Sequence, residues 1–161
     1  MSEESKAIAL VTGGNRGIGL AIAQSLQADG HHVVVTYRSG SAPAGFSAVQ
    51  MDVTSSESVD AAFAEIESQW GLPEIIVANA GITKDGLVMR MSDEDFESVI
   101  NANLTGAFRV ARRATKGLLK LKRGRLIFIG SVVGGVGAAG QVNYSASKSG
   151  LLGMARSFAR E

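Results

Sequence analysis

The 161-residue chain has no cysteine, two prolines and a single tryptophan. The missing cysteines exclude disulfides, thiolate nucleophiles and cysteine-based metal sites. The two histidines, His31 and His32, are adjacent and have no partner at metal or triad spacing, so no metal site is expected. No apolar run approaches the ~20 residues of a membrane span. The amino terminus places Glu3 and Glu4 before a short apolar run that ends at Thr12, too acidic and too short for a secretory signal. The expected compartment is therefore cytoplasmic, with no membrane partner. Acids are scarce in the second part of the chain: residues 98–161 carry 11 basic side chains and 1 acidic one, whereas residues 1–97 carry 5 basic and 14 acidic. Eight of those cations, from Arg109 to Arg125, fall within seventeen residues. Nucleic acid would require an aromatic stacking platform or a DNA-binding motif beside this run, and neither is there, so none is expected. An acidic protein partner fits the run, as does a solvated helical face. What is present is 45% apolar residues, enough for the core of one domain, and 20 glycines.

The glycines cluster. Ala7-Ile-Ala-Leu-Val-Thr12 predicts a short strand, Gly13-Gly-Asn-Arg-Gly17-Ile-Gly19 a turn, and Leu20 to Ala28 a helix. Strand, glycine turn and helix make a phosphate cradle. Glycine permits positive φ and close backbone approach, and the first helical turn aims unpaired N–H groups at an anion. The spacing is T-G-x-x-x-G-x-G, not the G-x-G-x-x-G of the general dinucleotide fold. That second string occurs at Gly135–Gly140, where a flexible loop beside the active site is expected rather than another phosphate site. Strands are expected at 7–12, 32–37, 47–51, 74–79 and 125–130, and helices at 17–29, 55–70, 92–122 and 141–160. The alternation predicts an α/β fold, a doubly wound parallel sheet between two helical layers. One connection is odd: between Tyr37 and Ser47 there is room for a loop or a single turn, whereas a parallel crossover usually takes about a dozen residues.

Residues Asn143 to Arg160 contain no proline and read as helix, so Tyr144 and Lys148 share a face. A free phenol titrates near about 10 and is a poor acid at neutral pH, but an ammonium within about 4–6 Å favours the phenolate. Ser131 follows Arg125-Leu-Ile-Phe-Ile-Gly130, which reads as a buried strand, and the carboxyl ends of such strands face the ligand crevice. Together these residues provide a hydroxyl to polarise a carbonyl, a phenol to protonate it and an ammonium to tune the phenol. Ser145-x-x-Lys148 also fits the acylation motif of penicillin-binding proteins, but its Ser-Asp-Asn and Lys-Thr-Gly partners are absent. The second strand ends in Thr36-Tyr37-Arg38 where an NAD site wants an acid, and Arg16 sits in the glycine turn. Guanidinium groups suit a 2′-phosphate, so NADPH is the expected cofactor.

Thr12-Gly-Gly-Asn-Arg-Gly-Ile-Gly19, Asn79-Ala-Gly81, Asn103-Leu-Thr-Gly106, Ser131 and Tyr144-x3-Lys148 together resemble the short-chain dehydrogenase/reductase family. Residues Ile100–Arg112, Gly124–Gly134 and Gly150–Glu161 are similar to 3-oxoacyl-acyl-carrier-protein reductases of bacterial fatty-acid synthesis, and Gly40–Gly45 to the branch serving mycolic-acid-type elongation. The resemblance covers the whole chain. It implies a Rossmann-like sheet of order 3-2-1-4-5 and one NADP-binding unit over residues 1–161, incomplete at its C-terminus. It implies Asn103, Ser131, Tyr144 and Lys148 as catalytic residues. Cofactor contacts are implied for Gly13, Asn15, Arg16, Gly17, Ile18, Gly19, Arg38, Asp52, Val53, Asn79, Ala80 and Gly81, and again for Tyr144 and Lys148.

Within that pattern Asp52 receives the adenine amino group, although a helix-start carboxylate beside Thr54 is equally compatible with the residues. Asn79-Ala80-Gly81 pack against the cofactor and the first strand, where a structural role is also open. Asn103 holds a kinked carbonyl and a water for proton relay, with Asn101 a neighbouring decoy. The substrate implied is a 3-oxoacyl group on an acyl carrier protein docked on the basic face Arg109 to Arg125. The assembly implied is a homotetramer on paired long helices, with small residues Ala146, Gly150 and Gly153 at the contact. Family members continue for several elements beyond the equivalent of Glu161, so the chain by itself is expected to be a poor enzyme. Two other readings stay open: a family member acting on a small alcohol, ketone or sugar, and a non-catalytic dinucleotide-binding or assembly fragment.

Overall fold

Short runs of valine, isoleucine and alanine build the sheet. In the computed structural model, which describes residues 6–161, five parallel strands lie in the order β3-β2-β1-β4-β5. They are β1 (Ile8–Val11), β2 (His32–Tyr37), β3 (Ser47–Gln50), β4 (Ile75–Ala78) and β5 (Arg125–Phe128). Leu10 is registered between Val34 of β2 and Ile76 of β4. Inner parallel strands are covered on both faces and so need apolar residues at successive positions. Leu10, Val34, Val49 and Ile76 pack with Phe63 and Ile66 of helix α2 (Ser56–Gln69) and with Val110 and Ala114 of α4 (Gly106–Leu121). Ala9, Val11, Val33, Val35 and Val77 pack with Ala23 of α1 (Gly17–Ala28). The result is the expected three-layer, doubly wound fold, with β1 and β4 adjacent at the switch point.

Four details depart from the sequence expectation or sharpen it. The short connection from β2 to β3 contains no helix; Gly40 at φ +88° and Gly45 at φ +82° turn the chain, and Gln27 Nε2 donates to the Gly45 carbonyl at 3.0 Å. The single helix expected over 92–122 is two helices, α3 (Asp93–Ile100) and α4, joined by a π-helical turn at Asn101–Thr105. A Cβ on Gly106 would stand 2.8 Å from Val53, so the start of α4 lies against the connection after β3 at a distance that only glycine allows. The apolar run around Ile127 reads locally as a buried strand, but the order 3-2-1-4-5 implied by the resemblance makes it a sheet edge, and the structure has it so: β5 pairs with β4 alone, and Ile127 is 41% exposed. A single helical turn, α5 (Val133–Val136), precedes α6 (Val142–Phe158) and was not expected. No helix among the described residues is long and apolar enough to cross a membrane.

Candidate active site

The turn from β1 into α1 owes its shape to its glycines. Gly13 (φ +63°) and Gly17 (φ +56°) occupy the left-handed region. A Cβ on Gly19 would stand 2.4 Å from the Gly13 carbonyl oxygen and from Asn79 Nδ2. Arg16 is the N-cap of α1, and its side chain makes no capping hydrogen bond. The first N–H groups of the helix therefore remain available to an anion. Thr12 locks the turn to β4: its Oγ1 accepts from the N–H groups of Asn79 and Ala80, both at 3.0 Å, while Asn79 Nδ2 donates to the Thr12 carbonyl at 2.9 Å.

Above this turn lies a crevice of about 690 Å³. Its wall includes Gly13, Asn15, Arg16, Gly17, Ile18, Gly19, Arg38, Asp52, Val53, Asn79, Ala80 and Gly81, so the structure brings these twelve expected cofactor residues together. Ser39, Gly40, Met51, Thr54, Ile82 and Ala102 also line it and were not named from the sequence, although each stands within two residues of one that was. Asp52 Oδ1 accepts from both the N–H (2.8 Å) and the hydroxyl (2.7 Å) of Thr54, the local carboxylate arrangement left open above. Burial raises its pKa, but those two bonds, with Arg38 and Arg109 nearby, outweigh burial and hold it below the ordinary aspartate value.

Tyr144 and Lys148 lie outside that wall, one turn apart on α6. The Lys148 ammonium is 5.6 Å from the Tyr144 ring centroid and donates to the Ile129 carbonyl at 2.8 Å. Lys148 is 8% exposed, and burial lowers its pKa below the ordinary lysine value. Ser131 follows two residues after Ile129 at the carboxyl end of β5. The turn of α5 after it lies against α6, so closely that a Cβ on Gly134 would be 3.1 Å from the Lys148 carbonyl carbon. No hydrogen bond joins Ser131 to Tyr144 or Lys148 among the described residues. Ser145 Oγ is buried without a partner, and Lys148 points instead to Ile129, so the pair is not arranged as an acylation centre.

Asn103, 1% exposed, sits in the π turn. Its Oδ1 accepts from the Ile82 N–H at 2.7 Å, and its Nδ2 donates to the Ile82 carbonyl at 2.9 Å and to Ser147 Oγ at 3.2 Å. Asn101 instead accepts from Arg109 at 2.9 Å, away from this cluster.

The basic face is uneven. Arg113 forms a bidentate pair with Glu67 at 2.7 and 2.9 Å, and Arg123 pairs with Glu74. Arg109, Arg112, Arg113 and Lys116 line a separate cleft of about 330 Å³ between α2 and α4. The small residues expected at a helix contact also divide. A Cβ on Gly150 would be 2.8 Å from Leu104 of the same chain, so Gly150 faces inward, whereas Gly153 faces open space.

Comparison with known proteins matches the short chain dehydrogenase family model over residues 7–161. The chain is 60% identical over 152 residues to the 3-oxoacyl-[acyl-carrier-protein] reductase MabA of Mycobacterium tuberculosis (strain ATCC 25618 / H37Rv), covering 94% of this chain and 62% of that relative. The reductase of the same name from Mycobacterium avium is 57% identical, with 94% and 60% coverage. The 3-oxoacyl-[acyl-carrier-protein] reductase FabG of Escherichia coli (strain K12) is 42% identical over 169 residues, covering 100% of this chain and 69% of that relative. The chain thus spans just under two thirds of the MabA relatives. A match over nearly every residue, with a glycine turn, a switch-point crevice and a Tyr-Lys helix in the expected places, places the chain in the short chain dehydrogenase family.

Proposed function

We propose that the protein works in the NADPH-dependent reduction of a 3-oxoacyl group carried on an acyl carrier protein, giving the 3-hydroxyacyl form. The observation that carries this reading is Lys148, a buried ammonium one turn from Tyr144 and 5.6 Å from its ring, beside the switch-point crevice. The crevice residues fit a dinucleotide. The uncapped start of α1 would hold the pyrophosphate, Arg16 and Arg38 the 2′-phosphate, and Asp52 and Val53 the adenine. When bound, the reduced nicotinamide supplies a hydride to the carbonyl carbon. Ser131 donates a hydrogen bond to the developing oxyanion, and Tyr144 gives the proton that makes it a hydroxyl. An ammonium has three donors. Lys148 gives one to Ile129, leaving two that would reach the ribose hydroxyls.

The substrate reading draws on the names of the MabA and FabG relatives and on the basic face, whose unpaired cations suit an acidic carrier. A homotetramer and a cytoplasmic location accompany the reading. NADPH oxidation with an acetoacetyl thioester, followed at the nicotinamide absorbance, tests it. Tyr144→Phe removes only the acid and should lower turnover by at least about 100-fold. A Tyr144→Phe protein with parental turnover would sink the mechanism.

A further inference from the structure

Tyr144 is held at both of its peptide groups by neighbouring side chains. Its N–H donates to Asn143 Oδ1 at 2.8 Å, and its carbonyl accepts from the Ser147 hydroxyl at 2.7 Å. Asn143 and Ser147 are both 0% exposed. Neither is tied only to its own helix. Asn143 Nδ2 donates to the carbonyls of Lys84 (2.9 Å) and Asp95 (3.3 Å). Ser147 Oγ accepts from Asn103 Nδ2, whose amide also grips both backbone groups of Ile82 in the crevice wall.

A serine hydroxyl bonded to a carbonyl of the preceding turn bends a helix. Here that bond is one link in a continuous chain: Ile82 backbone, Asn103 amide, Ser147 hydroxyl, Tyr144 carbonyl. Each link polarises the next in a buried, low-dielectric setting. The exposed alternative for a serine in this helix is a solvated hydroxyl with no fixed direction, and complete burial excludes it.

We infer that Ser147 is a positioning residue of the reaction: it transmits the placement of Asn103, which holds Ile82 of the crevice wall, to the backbone of Tyr144 and so fixes where the phenol stands. The inference rests on the proposed reductase function for its kinetic consequence, but its geometric content does not depend on it. Ser147 is not among the residues lining the crevice, and its hydrogen bonds run to Asn103 and to the Tyr144 carbonyl rather than to the Tyr144 hydroxyl. Its loss should therefore act on turnover and leave cofactor binding alone. Removing one buried hydrogen bond predicts a fall in kcat of roughly tenfold for Ser147→Ala, with KM for NADPH changed by less than about twofold.

Two measurements test this. The first is a kinetic double-mutant cycle of Ser147→Ala with Asn103→Ala, with circular dichroism showing each variant folded. Because the two residues act in series, the double variant should turn over no more slowly than Asn103→Ala alone, within about twofold. Losses that multiply, or a Ser147→Ala enzyme with parental kcat, would overturn the inference.

The second needs no turnover. The chain has two tyrosines, so 3-fluorotyrosine labelling gives two fluorine resonances, and Tyr37→Phe assigns the one from Tyr144. Ser147→Ala and Asn103→Ala should move that resonance to a similar position. A resonance unmoved by Ser147→Ala rejects the inference. If the parent binds NADPH but does not oxidise it with an acetoacetyl thioester, the fluorine result alone decides the role of Ser147; a parent that binds no NADPH sinks the proposed function.

Discussion

Lys148 is an ammonium inside the protein, and burial makes its protonated form costly there. Its folded pKa lies below the unfolded one, so between the two values the unfolded chain binds more protons than the folded chain. Stability should then rise with pH across that window and level off above the ordinary lysine value. Lys148→Met should flatten this rise, as read from urea unfolding midpoints taken at rising pH up to and beyond the ordinary lysine value. A rise of unchanged slope would mean that another group supplies it. Ser131→Ala leaves the packing untouched and should lower kcat by roughly 100-fold if its hydroxyl stabilises the oxyanion.

At this scale the sequence was legible wherever local geometry fixes a relation. Tyr144 and Lys148 share a face because helices repeat, and the glycine turn is readable because strand, turn and helix adjoin. Asn143 and Ser147 were not readable, since polar residues in a helix default to solvent. Their burial is decided by Lys84 and Asn103, 59 and 44 residues away in sequence.

Among the elements, the β1-to-α1 turn tolerates least. On Gly19 a methyl would meet the Gly13 carbonyl at 2.4 Å, and a backbone oxygen in a locked turn has nowhere to go. Gly19→Ala should cost about 1–3 kcal/mol in thermal unfolding and abolish measurable NADPH binding, because the turn must open to admit it. Gly150→Ala meets only the Leu104 side chain, which can rotate, so its cost should be smaller and cofactor binding should survive. Equal effects of the two substitutions would contradict this reading of the turn.

The strand-helix alternation was readable element by element, apart from three features set by partners distant in sequence. The π turn exists because Val53 crowds Gly106 and Ile82 captures Asn103. The exposure of Ile127 follows from β5 having one neighbour rather than two, which the strand order implied by the family resemblance foretells and apolar composition alone does not. Gly150, which looked like a small residue at a helix pairing, is small because Leu104 of its own chain needs the room.

Over the whole molecule the charges separate, and the basic run on and after α4 is only partly neutralised from within. Among the described residues, Lys116, Lys120 and Lys122 form no ion pair, whereas Arg113 and Arg123 do. If an acidic carrier docks there, Lys116→Glu with Lys120→Glu should raise KM for a carrier-linked substrate by roughly tenfold and leave a small thioester unaffected. Added salt should weaken the carrier-linked reaction in the same selective way. An equal loss on both substrates would show that the substitutions disturb the site rather than docking. The proposed reductase function requires the crevice at the β1–β4 switch point to be an NADP site. Calorimetric titration of the protein with NADPH and with NADH, repeated for Arg38→Asp, tests that most directly. The prediction is one saturable site that prefers NADPH, with the preference reduced at least about tenfold by Arg38→Asp. No saturable binding of either dinucleotide, or an NADPH preference unchanged by the substitution, would contradict it.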